Sequence, residues 1–146
     1  RLRRSLAMRS DAGHAPRHRT QPGGALRFET LLASLADEPV GIAAITASEL
    51  LHGCHRAADP AVRVRRAAFV DALLDAVPVL PFGLAEARRH AELWADLARG
   101  GKAIGPHDLL IGATALARGD VLATLSQREF RRVPGLRLIA TETFLS

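Results

Sequence analysis

Gly105-Pro106-His107-Asp108-Leu109-Leu110-Ile111-Gly112-Ala113-Thr114-Ala115-Leu116-Ala117 opens where a helix would start and then runs apolar with almost no polar break. Proline suits the first turn of a helix, where its missing N–H is not needed. The helix implied, from about Pro106 to Arg118, is therefore buried on most of its surface. Asp108 sits at its mouth. A carboxylate there has two readings. It is a helix cap, for which Asp is well suited, or it is a metal ligand held on a rigid element.

Around this helix the pattern alternates. Downstream, Gly119-Asp120 turns into a strand, Val121-Leu122-Ala123-Thr124. A short helical turn follows near Gln127–Phe130, and then a last strand, Leu136-Arg137-Leu138-Ile139-Ala140. Upstream, Leu26, Phe28, Leu31, Leu32 and Leu35 give an amphipathic helix that ends near Asp37 and is stopped by Pro39. Val40-Gly41-Ile42-Ala43-Ala44-Ile45 reads as a strand buried on both faces, as in a parallel sheet. Thr46 caps a helix running through about Ala57, and Thr46-Ala47-Ser48-Glu49 fits a capping box. Pro60 starts a longer helix to about Val77, carrying Val62, Phe69, Leu73 and Leu74. The prolines of Val77-Pro78-Val79-Leu80-Pro81-Phe82 place a second strand at a sheet edge or a strand end. Leu84 to Arg99 is a third long helix, with Leu93, Trp94 and Leu97 facing inward, ended by Gly100-Gly101. Strands alternating with helices imply an α/β layered domain with a mostly parallel sheet. Sites in such sheets form at the carboxyl ends of the strands, which is where Glu49 and Asp108 are expected.

A chain of 146 residues predicts one domain. Its 48% apolar and 24% charged residues are ordinary for a soluble globular protein. The single cysteine, Cys54, excludes an intrachain disulfide and suits a reducing, cytoplasmic setting. No apolar run reaches the roughly 18 residues of a membrane span. The net charge of +5 is unevenly placed. Six arginines and one acid, Asp11, fall in residues 1–24, so the other 14 bases and 14 acids leave residues 25–146 neutral. Residues 1–24 also lack a period of 2 or 3.6, and they hold Pro16, Pro22, Gly23 and Gly24. They read as a basic, disordered or non-native tail ahead of a domain over 25–146. His14 and His18 are four residues apart, but Pro16 between them argues against a helical metal pair.

Two carboxylates near the tops of strands can meet in one cleft. At about 4 Å and an effective dielectric near 20 they repel by about 4 kcal/mol. A divalent cation reverses that sign, and all-oxygen ligands favour Mg²⁺, with Mn²⁺ as an alternative, over zinc. Other features carry less. Gly100-Gly101-Lys102 follows a helix rather than a strand, and Ala103 stands where a phosphate loop needs Ser or Thr. Cys54 reads as a buried structural thiol. His107 reads as a solvent-facing neighbour of the cap, and Arg63, Arg65 and Arg66 as an exposed helix face. Trp94 is a core or dimer-interface residue.

Three motifs in order resemble a known family. They are Ile45-Thr46-Ala47-Ser48-Glu49-Leu50, then His107-Asp108-Leu109-Leu110-Ile111-Gly112-Ala113-Thr114-Ala115, then Thr124-Leu125-Ser126-Gln127-Arg128-Glu129-Phe130 with Val133-Pro134-Gly135-Leu136. Together they resemble a PIN domain, closest to the VapC-type toxins of bacterial toxin–antitoxin pairs, over roughly residues 25–142. The resemblance implies an α/β/α sandwich with a mostly parallel sheet and a Mg²⁺-dependent endoribonuclease that hydrolyses RNA. It also implies a homodimer and a cognate antitoxin protein. The family draws acids from four places. Glu49 matches the second and Asp108 the third. The fourth falls on Ser126, a poorer ligand able to hold a water, and Glu129 lies nearby but off the motif.

The first place departs from the family, which opens with an apolar strand ending in Asp-Thr or Asp-Ser. Residues 1–24 hold no such strand on this reading; Asp11 is the only acid, and Ala12 follows it. The break in composition at Gly24 points to a shifted reading frame or a misassigned start. The alternative to an active nuclease is a catalytically impaired remnant of the fold that binds only an antitoxin-like partner.

Overall fold

The computed structural model describes residues 40–124 and 126–139 in full, and residues 4–7 by their backbone. Four strands form one parallel sheet: β1 (Arg4–Ala7), β2 (Val40–Ala43), β3 (Val79–Leu80) and β4 (Val121–Thr124). Their spatial order is β3-β2-β1-β4. Arg4 pairs with both Val40 and Val121, and Leu6 with both Ile42 and Ala123. The expectation that residues 1–24 hold no strand is thus corrected: Arg4–Ala7 is a central strand. Parallel neighbours on both sides give its backbone groups the partners that outweigh a sequence with little strand character. The amphipathic helix expected over 26–37 lies outside the described residues, as do most of residues 1–24.

Helices cover both faces. The α1 (Ala44–Arg56) and α2 (Pro60–Ala76) helices pack together on one face. There Ile42 and Ala123 meet Ala47, Leu50, Cys54, Val70 and Leu73. The α3 (Leu84–Arg99) and α4 (Pro106–Arg118) helices pack together on the other, joined by the short α5 (Gln127–Phe130). There Ala43 and Leu122 meet Leu93, Leu97, Ile111, Ala115 and Phe130. Adjacent strand residues point to opposite faces, so Ile42 and Ala43 necessarily serve different cores. This is the expected three-layer α/β/α sandwich. The last strand shrinks to a parallel bridge between Leu138 and Leu122, with the Ile139 amide donating to the Leu122 carbonyl at 2.9 Å.

Local chemistry sets the ends. Asp59 Oδ1 caps α2 by accepting from the Ala61 amide at 2.9 Å, with Pro60 in the first turn. Arg63 Nε and Nη2 both donate to the Ala57 carbonyl, and Arg66 reaches the Gly53 carbonyl. Two of the three arginines expected on a bare helix face therefore close the last turn of α1, whose carbonyls otherwise lack partners. Gly119 takes φ 68° to end α4, a left-handed conformation that favours glycine. Gly100-Gly101-Lys102 is a helix end, with the Lys102 amide on the Leu97 carbonyl. The second strand is shorter than expected, Val79–Leu80 rather than Val77–Phe82, and it lies at the sheet edge as its prolines require.

Two further expectations are corrected. Strand β2 stops at Ala43 and α1 begins at Ala44, with no side-chain cap, so Thr46 heads no capping box. Trp94 does not face inward; it is 61% exposed, while Leu93 and Leu97 are buried.

Candidate active site at the carboxyl edge of the sheet

Strands β1, β2 and β3 succeed one another across one side of the sheet, and β4 is added on the other side of β1. A crevice is expected where that direction reverses, beyond the carboxyl ends of the strands. Helix α1 leaves from the carboxyl end of β2. Helix α4 runs back toward the start of β4, so its first turn stands at the same edge. Chain direction alone thus places Glu49 and Asp108 at one rim.

One side-chain bond links these two helices, between Glu49 and His107. Glu49 is the sixth residue of α1, one turn deeper than a capping box would put it. Its side chain is only 12% exposed. Oε1 accepts a hydrogen bond from His107 Nδ1 at 2.7 Å, which ties α1 to the first turn of α4. Oε2 is buried and has no hydrogen-bond partner among the described residues. His107 is thus no bare neighbour of a cap, although more than half its side chain faces solvent.

Asp108 is buried and is the third residue of α4, after Gly105 at the cap and Pro106. It is not the N-cap. Its charge still lies in the first turn, where the helix dipole favours an anion by about 0.3–1 kcal/mol. A Cβ placed on Gly105 would lie 3.7 Å from Asp108 Oδ2, so the loop approaches the carboxylate closely.

Thr46 lies three residues before Glu49, hence on the same face of α1. It is wholly buried, and its hydroxyl has no partner among the described residues. Polar groups in such places are nearly always hydrogen-bonded. Two orphans on one helix face mark a place where a bound group or water belongs. The sequence reading missed Thr46 because it was assigned to the cap. It missed the Glu49–His107 bond because nothing local links residues 58 apart.

Ser126 follows β4 at the same edge. Its amide donates to Thr124 Oγ1 at 3.0 Å, and its hydroxyl does not cap α5. Gln127 Nε2 donates to the Thr124 carbonyl at 2.8 Å and the Ile139 carbonyl at 3.1 Å, fixing this end of β4. Glu129 stands on α5, 3.9 Å from Arg132. Among the described residues no three His, Cys, Asp or Glu side chains cluster in a way that would hold a metal. Two buried side-chain oxygens on α1, Thr46 Oγ1 and Glu49 Oε2, are unsatisfied among the described residues. In type they fit a hard divalent cation, which keeps several waters when only one or two carboxylates bind it.

The chain belongs to the PIN-domain family: the family model described as PIN domain matches residues 23–136. The match starts where the composition changes. Ribonuclease VapC1 of Rickettsia felis is 34% identical over 102 residues, covering 70% of this chain and 76% of that protein. The tRNA(fMet)-specific endonuclease VapC of Salmonella typhimurium is 35% identical over 97 residues, covering 66% and 71%. Within the family, then, the chain is of the VapC ribonuclease type. The crystal structure of DNA-bound VapBC from Salmonella typhimurium has the same fold, with a TM-score of 0.72 at 24% identity over 95% of this chain and 98% of that one. VapBC-5 of Mycobacterium tuberculosis, from a toxin–antitoxin family, gives 0.63 at 29% identity, over 68% and 80%.

Proposed function

We propose that the chain is an endoribonuclease toxin of a toxin–antitoxin pair, dependent on a divalent cation, Mg²⁺ or Mn²⁺, held by Glu49 and Asp108. The observation that carries the site is the Glu49 carboxylate, with Oε1 fixed by His107 and Oε2 buried without a partner among the described residues. Leaving a buried acceptor unsatisfied costs about 1–3 kcal/mol. A site retained for its chemistry accounts for that cost.

Each residue has a distinct task. Glu49 and Asp108 hold the cation from two helices whose packing fixes their separation. Ser126 contributes a neutral oxygen, through a water, from the end of β4. When bound, the cation orients a water for attack on a phosphodiester and offsets charge that develops on the phosphate. The neutral balance of residues 25–146 leaves phosphate contacts to local arginines rather than to an overall positive field. The likeness to VapBC-5, a member of a toxin–antitoxin family, supports a cognate antitoxin as the protein partner. The exposed Trp94 on α3 supports a homodimer.

Calorimetric titration of the chain with Mg²⁺ and Mn²⁺ tests the site. Asp108→Ala is expected to weaken binding while the fold persists. If Asp108 serves only the helix, the same change costs up to about 1 kcal/mol of stability and leaves metal affinity unaltered. That result would remove Asp108 from the site.

A further inference from the structure

We propose that His107 is a positioning residue for Glu49: it holds the carboxylate in one orientation, so that Oε2 is presented as a ligand rather than left to rotate. The inference rests on Glu49 being a cation ligand, as proposed above.

Among the described residues, His107 Nδ1 supplies the only hydrogen bond that the Glu49 side chain receives. At 2.7 Å it falls in the short range typical of bonds to an ionised acceptor. A glutamate otherwise turns about three side-chain torsions, and ordering such a side chain costs entropy. One directional bond to Oε1 fixes the plane of the carboxylate and therefore the direction of Oε2. The bond also spans elements. His107 is the second residue of α4 and precedes Asp108, so the contact that orients one carboxylate comes from the turn that carries the other.

A contact made only for stability is a poor account of this arrangement. The His107 side chain is 57% exposed, and exposed pairs of this kind contribute little to folding. Hydrogen-bond partners that stand behind a metal ligand act chiefly on metal affinity, where their loss typically costs 10–100-fold.

The test measures free Mn²⁺ by electron paramagnetic resonance during titration of the full chain, at one pH, beside thermal melts. His107→Phe keeps a ring and removes the donor; His107→Ala removes both. Each is expected to weaken Mn²⁺ binding by about tenfold while the thermal melt stays cooperative. His107→Asn carries a donor on the atom equivalent to Nδ1 and is expected to stay within about threefold of the unaltered chain, inside the tenfold that loss of the donor costs. Glu49→Gln is the reference. If Glu49→Gln weakens binding while His107→Phe and His107→Ala do not, the positioning role is overturned and the cation site stands. An asparagine variant as weak as the phenylalanine variant overturns the hydrogen-bond basis. If Glu49→Gln binds Mn²⁺ like the unaltered chain, or if that chain binds none, the cation reading fails and the role of His107 fails with it.

Discussion

Thr46 and Glu49 show how a residue changes meaning with a three-residue shift of a helix start. Read locally, Thr-x-x-Glu before an apolar run is a capping box, and both side chains are then satisfied by backbone amides. With α1 starting at Ala44, both instead face a buried edge, and each keeps an oxygen unpaired. Replacing Thr46 by Val keeps the shape and removes the orphaned hydroxyl. Because the unpaired group costs about 1–3 kcal/mol when buried, Thr46→Val is expected to stabilise the fold by about 1 kcal/mol, read as a rise in denaturant midpoint at constant slope. It is also expected to weaken divalent-cation affinity if the hydroxyl holds a water there. Destabilisation by the same change would mean that the hydroxyl has a partner in the folded chain. The identity of both candidate acids was legible from motif order. The bond that orders one of them was not, because it joins residues distant in sequence.

Among the elements, the long helices were legible almost to their ends. Pro60 with Asp59, Pro106 with Gly105, and the Gly100-Gly101 and Gly119 stops all act within one turn of where they stand. The strands were read less well, since strand length depends on partners the local sequence does not contain. Gly41 is an instance. In isolation it only weakens a strand. In the sheet its missing side chain lets Leu80 of β3 close over β2, and a Cβ there would lie 2.9 Å from Leu80 Cδ2. All three outer carbons of Leu80 would be within 3.1 Å, so the whole side chain must shift. Gly41→Ala is therefore expected to cost about 1–3 kcal/mol as overpacking, measured by chemical denaturation. A neutral result would mean that β3 yields freely at the edge. The arginines of α2 make the opposite point: they read as solvent-facing, yet Arg63 satisfies a helix end that becomes visible only once α1 and α2 fold back on each other.

At the scale of the whole molecule, one surface and one strand remain to be accounted for. The surface is a ridge along α3 and the loop before it. Leu84 is 69% and Trp94 61% exposed, and the rings of Phe82, His90 and Trp94 follow one another at 5.8 and 5.7 Å. Contiguous exposed apolar groups mark interaction sites more often than chance positions. A second copy of the chain is the proposed cover. Trp94→Glu is expected to shift the chain from dimer to monomer in size-exclusion chromatography with light scattering, while thermal stability at low concentration stays level. A monomeric unaltered chain would reassign the ridge to another partner. The sequence left Trp94 to the core or to a dimer interface, because it lies three residues before Leu97; it also lies about 100° round the helix from Leu93, and its 61% exposure removes the core reading.

The strand is β1, and it governs the expected activity. It lies between β2 and β4 in a parallel sheet with helices on both faces, where strands are ordinarily apolar throughout. Its neighbours, Val40-Gly41-Ile42-Ala43 and Val121-Leu122-Ala123-Thr124, conform; Arg4-Ser5-Leu6-Ala7 does not. No acid follows Ala7 in the sequence until Asp11. The rim between Glu49 on one side and Ser126 on the other thus gains no carboxylate from the element at its centre within the described residues. A cation held by two carboxylates keeps most of its waters and is loosely oriented. Catalysis by positioning tolerates this badly, since displacement by about 1 Å can cost around a hundredfold. The chain with this N-terminal sequence is therefore expected to be a weak endoribonuclease, cleaving RNA slowly even with the cation present. Replacing residues 1–24 by an apolar strand ending in Asp-Thr is expected to restore divalent-cation-dependent cleavage, and Glu49→Gln in that repaired chain to abolish it again. Cleavage assays on all three with added Mg²⁺ or chelator decide the matter. Strong Mg²⁺-dependent cleavage by the unrepaired chain would require a further acid, with Asp11 or Glu129 the residues to substitute next.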